Sequence, residues 1–313
     1  MAAIVGSGAA RVGRLAGPRA PGRRLLPRGT LFALPAAGLS LALILYPLGY
    51  SLYVSVQEYN LATGAWRFVG LANYTEALAD RAFWRSVRNT FQIALPALAL
   101  EFVLGLALAL ALDRLRFRWR VLLVSLLIAP MMIPGAAAAL SFALLYAHQY
   151  GPINALLGWL AGRPVEIEWL SSAAVAPWAV VIVEVWQKTS FVMLFLLAAL
   201  HLIPDEVYDA ARVDGASGLQ TFRYVTLPLL RTTIVAVLVI RLIDLLKMFD
   251  LPYVLTGGGP GVATEPVSMH IVQVGFQFFR LGAGAAQSFL LFLGVAALVL
   301  VLVRVLGTPR AAR

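Results

Sequence analysis

Six stretches of this chain stay apolar for longer than a soluble core element needs. They run over about 30–56, 89–112, 121–147, 174–202, 232–254 and 281–303. About 20 apolar residues in an α-helix cross the hydrocarbon of a bilayer. Backbone groups in lipid must find their hydrogen bonds within a helix or a closed barrel. The runs are continuous rather than alternating, which favours helices over barrel strands. The expectation is an all-α membrane protein with six transmembrane helices. Composition agrees: 61% of residues are hydrophobic and 13% charged, about half the roughly 25% charged content of a soluble domain.

A basic start before an apolar run can be a secretory signal. Here Arg11, Arg14, Arg19, Arg23, Arg24 and Arg28 precede a charge-free run that reaches Val56. That is too long for a cleavable segment, so it is expected to be a retained first span. Residues 1–29 are rich in Ala, Gly, Pro and Arg without an apolar period and are expected to form a disordered basic cytoplasmic tail. Residues 307–313 make a second short tail, and the membrane domain would occupy 30–306.

Charge placement sets the orientation. One side would carry the N-terminal arginines, Arg114, Arg116, Arg118 and Arg120, then Arg212, Arg223 and Arg231, and finally Arg304, Arg310 and Arg313. The other side would carry Arg67, Arg81, Arg85, Arg88, Arg163 and Arg280. Sixteen against six puts both termini in the cytoplasm. The net charge of +10 is thereby explained by topology and needs no nucleic acid. The chain has no cysteine, so disulfides, thiolate metal sites and Cys nucleophiles are excluded. His148, His201 and His270 lie far apart with no ligand spacing, and no metal site is expected.

The stretch 203–230, between the fourth and fifth runs, is polar and structured. Pro204, Asp205 and Glu206 make a helix start, and Asp214-Gly215 makes a turn. Ser217 and Gln220 have capping-box spacing, and Leu219, Phe222 and Val225 form an apolar stripe at helical spacing. A cytoplasmic helix-turn-helix follows. On these residues alone it could dock into a soluble partner or lie on the membrane as a hairpin.

The pattern in this loop is more specific than its physics. Asp209-Ala210-Ala211, three residues, Gly215, nine residues, Val225, one residue, Leu227-Pro228 resembles the EAA loop of binding-protein-dependent ABC importers, with Asp209 where the family usually has Glu. The run Tyr208 to Ser217 resembles the sugar-importer branch in particular. Phe249 to Gly261 with Thr264-Glu265, Phe68 to Tyr74, and Tyr150 to Asn154 are similar to segments of the same branch. The likeness covers nearly the whole chain from about Leu31. It points to the six-helix first permease of the maltose/trehalose/glycerol-phosphate carbohydrate uptake family, without a large periplasmic insertion.

The resemblance implies a type I ABC importer permease in the bacterial plasma membrane. It further implies carbohydrate passage without covalent change, and ATP and Mg bound only by a separate ATPase, with no cofactor here. The implied partners are a second homologous permease, two ATPase subunits and an extracytoplasmic sugar-binding protein. The coupling residues it implies are Glu206, Asp209, Ala210, Ala211, Asp214, Gly215, Phe222, Leu227 and Pro228.

Ionisable groups inside spans normally face protein or a cavity, since one at the bilayer centre costs about 2.5–3.5 kcal/mol on insertion scales. Glu184 and Lys188 stand four apart and are expected to pair, with Trp186 and Gln187 between them. Arg241, Asp244, Lys247 and Asp250 recur every three residues. That stripe swings round a straight helix, so a packed interior, a break near Pro252, or exit from the membrane by Asp250 is expected. These residues, with Phe249 and Trp186 as faces for a sugar ring, are candidates for the substrate path. Internal salt bridging is the alternative. For Glu101 a structural hydrogen bond is expected.

The run Gly257-Gly-Gly-Pro-Gly261 lacks the ending of a nucleotide P-loop and is expected to be a tight or re-entrant turn. Two rival classes remain. An ion-coupled secondary transporter would show inverted repeats and would leave the loop unexplained. An intramembrane enzyme would need a nucleophile or metal cluster.

Overall fold

The computed structural model describes residues 28–60 and 63–306. The two expected tails therefore lie outside the described residues, apart from Arg28 and Gly29, which open the first helix. The chain divides into two units, residues 1–50 and 51–313. The described part of the first is the helix α1 (Arg28–Ser55) as far as Tyr50.

The second unit is helical with one small exception. After α1 come a hairpin of β1 (Gln57–Asn60) and β2 (Ala65–Phe68), then α2 (Ala72–Ala79). This two-stranded hairpin corrects the strictly all-α expectation. It sits outside the long apolar runs, where no helix is required. Asn73 ties α2 beneath it, donating through Nδ2 to the carbonyls of Ser55 (2.9 Å) and Gln57 (2.8 Å).

The bundle consists of α3 (Arg81–Asp113), α4 (Phe117–Ile128), α5 (Gly135–Leu145), the short α6 (Pro152–Ala161) and α7 (Ala176–Leu200). It continues with α8 (Asp205–Val213), α9 (Gly218–Thr221), α10 (Leu227–Leu246), α11 (Asp250–Thr256), α12 (Val267–Val272) and α13 (Leu281–Leu306). Among the described residues four helices are long and apolar enough to cross a membrane: α1 from Pro35, α3, α7 and α13. The pair α4 and α5 passes the same test but is bent by 93°. α10 carries Arg231, Arg241 and Asp244, which keeps it outside that apolar set.

The centre of the fold is the seam between α3 and α7. On α3 the buried positions Ala94, Ala97, Glu101, Gly105, Ala109 and Leu112 recur at three or four residues. Small side chains let helix backbones approach, the usual route to tight packing in lipid. At Gly105 a Cβ would stand 2.7 Å from Val192 Cβ of α7. Val180, Val181 and Val183 of α7 join one apolar cluster with Leu242, Leu245 and Leu246 of α10. Met193, Leu196 and Leu200 join another with Leu230 and Val237.

Two of the expected apolar runs are broken, and both breaks lie near a proline. The expected continuous run 121–147 turns at Ile133–Pro134. Ile133 is extended (φ −79°, ψ 128°), as a residue before proline prefers, and Pro134 has no N–H to continue the ladder. The expected run 232–254 stops at Lys247 and restarts at Asp250, a break a few residues before Pro252. A break in a helix within lipid frees carbonyls that need donors, and three carbonyls at these breaks accept from side chains of neighbouring helices. Gln187 Nε2 donates to Ile133 O (2.5 Å), Ser190 Oγ to Leu127 O, and Ser268 Oγ to Met248 O.

Candidate functional site: a buried charge clasp and an exposed helical loop

Glu101, Glu184 and Asp244 converge on one guanidinium. Arg241 of α10 is 2% exposed. It donates to Glu101 of α3 through Nε (2.7 Å, Oε2) and Nη2 (2.9 Å, Oε1), a bidentate pair. Nη2 also donates to Glu184 Oε1 of α7 at 2.7 Å. A planar fork matched to carboxylates is what arginine offers and lysine does not. Three helices are thus clasped at one buried point. A looser chain leads outward: Arg241 Nη1 to Asp244 Oδ2 at 3.5 Å, then Asp244 Oδ1 to Lys247 Nζ at 3.1 Å.

This geometry revises the sequence reading in particular places. Glu184 pairs with Arg241 rather than Lys188. Glu101 makes the structural hydrogen bonds expected of it, as one half of an ion pair with Arg241. Gln187 is buried and spent on the carbonyl of the α4–α5 break. Arg241 is enclosed by carboxylates. The remaining path candidates are partly or fully exposed: Trp186, Lys188, Asp244, Lys247, Phe249 and Asp250. Phe249 stacks on Tyr253 with ring centroids 5.0 Å apart, and Trp186 packs on Phe142 at 5.0 Å. Asp244, Lys247 and Asp250 gather at the α10–α11 break.

The glycine run following α11 is a closed turn. Gly257, Gly258 and Gly261 have positive φ, and Gly259–Pro260 is cis. Thr264 Oγ1 donates to Gly259 O at 2.7 Å and lies 2.6 Å from Thr256 Oγ1. Asn89 Nδ2 of α3 donates to Val262 O at 2.6 Å. The loop amides of Gly259, Ala263 and Thr264 are spent on loop carbonyls. At the same end of the bundle Arg280 meets Glu76 at 2.5 Å, and that bond holds the guanidinium above its ordinary pKa.

At the other end lies the helix-turn-helix. Pro204 precedes α8, Asp205 and Glu206 occupy its first turn, and Arg212 its last, each suited to the helix dipole. The turn is a Schellman closure: Ala216 N–H donates to Ala211 O (3.0 Å) and Gly215 N–H to Arg212 O (3.1 Å), with Gly215 at φ +73°. That left-handed position explains the glycine, since a Cβ there would meet nothing within 4 Å. Asp214 caps α8.

Ser217 then opens α9 with a full capping box, its N–H bonded to Gln220 Oε1 at 2.7 Å. A π-helical segment, Phe222–Thr226, leads into α10. Pro228 clashes with a regular preceding turn, and the wider π turn relieves this.

The expected coupling residues run from α8 through the turn and the π-helical segment to Leu227 and Pro228, which open α10. Asp209 pairs with Arg212, Ala211 is buried, and Glu206, Ala210 and Pro228 are exposed. Phe222 and Leu227 are half-buried. Phe222 shares a cavity wall with Tyr208, Leu110 and Leu200. Outward stand Val213 (87%), Leu219 (76%) and Tyr224 (70%). Of the expected stripe, Leu219 faces out while Phe222 and Val225 turn partly inward.

Long apolar helices, two broken runs with carbonyls capped by their neighbours, and an amphipathic loop displayed at one end are the features of a multi-span membrane protein. Residues 90–309 match the binding-protein-dependent transport system inner membrane component family, and the chain belongs to that family. It is a permease subunit of an ABC importer, in which ATP hydrolysis is the work of separate subunits.

Among its relatives, the trehalose/maltose transport system permease protein MalF of Thermococcus litoralis is 37% identical over 280 residues, 88% of this chain and 92% of that one. The sulfoquinovosyl glycerol transport system permease protein SmoG of Agrobacterium fabrum is 39% identical over 274 residues, 87% of each chain. The trehalose transport system permease protein SugA of Mycobacterium tuberculosis is 37% identical over 290 residues, 91% of each. A chain of a solved bacterial ABC transporter involved in the import of the acidic polysaccharide alginate superposes with TM-score 0.77 at 21% identity, covering 91% of this chain and 96% of that one. The shared architecture is the type I importer permease fold.

Proposed function

We propose that this chain is a six-span permease, with both termini cytoplasmic, that forms half of a carbohydrate path and receives the ATPase on its α8–α9 loop. In this reading α10 is the fifth span in chain order. Its Arg241 is neutralised inside the bundle by Glu101 and Glu184, which is how a charged helix is tolerated in lipid. Relatives named for trehalose/maltose and sulfoquinovosyl glycerol transport support a di- or oligosaccharide or glycoside as substrate.

The partners are a second permease, two ATPase subunits carrying ATP and Mg, and an extracytoplasmic sugar-binding protein, all at a bacterial plasma membrane. A solved neighbour contains an alginate pentasaccharide-bound periplasmic protein, which supports the last of these. This chain holds no cofactor of its own. Asp244, Lys247, Asp250, Phe249, Trp186 and Lys188 border the path. Arg241, Glu101, Glu184 and Gln187 hold the helices that carry them.

The observation that carries this reading is the loop: a rigidly closed helix-turn-helix that leaves Val213, Leu219 and Tyr224 uncovered. An apolar knob on a capped turn fits a groove on a soluble domain. The test is Gly215→Val, which forces a β-branched residue into a left-handed conformation at a cost of about 1–2 kcal/mol without creating a clash. Membrane insertion is expected to persist while uptake and substrate-stimulated ATP hydrolysis are lost. Normal uptake by this variant would exclude docking through the turn.

A further inference from the structure

α6 is left over by the functions above. It is 10 residues long, about 15 Å at 1.5 Å per residue, and cannot cross a bilayer core of about 30 Å. Its depth is nevertheless fixed by the spans on either side. Tyr146, which ends α5, donates through its hydroxyl to Ala179 O in the first turn of α7 (3.2 Å). Trp169 stacks on Tyr146 with centroids 5.0 Å apart. Trp169 in turn donates through Nε1 to Asn154 Oδ1 of α6 at 2.9 Å. Asn154 Nδ2 binds the carbonyls of Ile167 (3.0 Å) and His148 (3.3 Å), and Ile153 packs on the apolar cluster containing Tyr146 and Ala179. One face of α6 is therefore locked at the level where α5 stops and α7 starts.

The opposite face is apolar and bare. Leu156, Trp159 and Leu160 are 56%, 78% and 67% exposed, spaced as neighbours on one helix stripe. Arg163 follows the helix, exposed and with no ion pair among the described residues. Tyr150, 77% exposed, precedes the helix. Leucine with tryptophan and tyrosine at the ends of spans, flanked by an arginine, is the chemistry of the boundary between headgroups and acyl chains.

The geometry points to α6 as an interfacial helix that lays Leu156, Trp159 and Leu160 into the leaflet at the end of the bundle opposite the α8–α9 loop, with Arg163 at the phosphate level. The occupant is lipid rather than protein because the Tyr146–Trp169–Asn154 strap holds the stripe at the depth where the apolar spans emerge. The inference is independent of which sugar is carried.

The chain has no cysteine, so with accompanying subunits whose own cysteines are replaced each label reports one position. Trp159→Cys, Leu156→Cys and, on the polar segment after the helix, Glu166→Cys would each carry a nitroxide. Each full-length variant would be purified with the subunits that accompany it and placed in vesicles of phosphatidylethanolamine and phosphatidylglycerol. Collision with oxygen, which concentrates in lipid, would be compared with collision with a water-soluble nickel chelate. The ratio of oxygen to nickel accessibility is expected to be several-fold higher at positions 156 and 159 than at 166. Equal ratios at all three would place the stripe in water. Low access by both reagents at 156 and 159 would mean that a protein covers it. Either result overturns the assignment. Uptake is not the readout, so the outcome is separable from the fate of the proposed function.

Discussion

Arg241 shows how one side chain can decide a membrane protein's interior. It is a cation where no cation is comfortable, and it is held by two carboxylates from different helices, Glu101 and Glu184. Removing one member of such a buried group leaves uncompensated charge, at a cost of about 3–5 kcal/mol. Arg241→Ala is therefore expected to lower the thermal midpoint of the detergent-purified complex sharply or to prevent assembly. Asp244 is half-exposed, stands 3.5 Å from Arg241 and pairs with the exposed Lys247 at 3.1 Å. Asp244→Ala is expected to assemble normally and to lose uptake. Chromatographic thermal-stability assays and vesicle uptake distinguish the two. Equal midpoints for both variants would break the division between clasp and path.

In the sequence, the stripe on α10 was visible as a set of charges needing partners. The partners were not, because Glu101 precedes Arg241 by 140 positions and a single sequence holds no record of that meeting. The local i,i+4 neighbour, Lys188, was the wrong partner for Glu184 for the same reason.

Elements with strong local rules were legible. The apolar runs mark α1, α3, α7, α10 and α13. The Pro204 start, the Ser217 capping box and the turn at Gly215 all form as their chemistry dictates. The bend between α4 and α5 was not anticipated, although Pro134 announces it, because an apolar run conceals a proline unless the freed carbonyls are followed to their donors. Gln187 and Ser190 then read as caps for that bend. The close approach of α3 and α7 was equally hidden, since Gly105 is unremarkable without its opposite number. Gly105→Leu is expected to push the helices apart and destabilise the complex by about 1–3 kcal/mol, the range for overpacking. Val192→Ala in the same chain is expected to restore part of the loss, since touching residues couple. Thermal midpoints of the two single variants and the double variant check this, and strict additivity would contradict the contact.

At the scale of the whole molecule, the bundle has a stiff centre and two specialised ends. The clasp and the small-residue seam bind α3, α7 and α10 into one body. In the proposed function, a displacement of the α8–α9 loop would reach the α10–α11 break along α10, which joins the two. At one end of α10 stands the capped loop and at the other the cluster Asp244, Lys247 and Asp250. Energy delivered at one end would be felt at the other without any chemistry in this chain.

The most direct measurement of that account is a crosslink. Leu219→Cys stands on the exposed tip of the loop in a chain otherwise free of cysteine. Reacted with a short bifunctional thiol-to-amine reagent in native membranes, it is expected to give one adduct with an ATP-hydrolysing subunit, altered by nucleotide. An adduct only with lipid-embedded chains, or none with any ATPase under any nucleotide condition, would contradict the account.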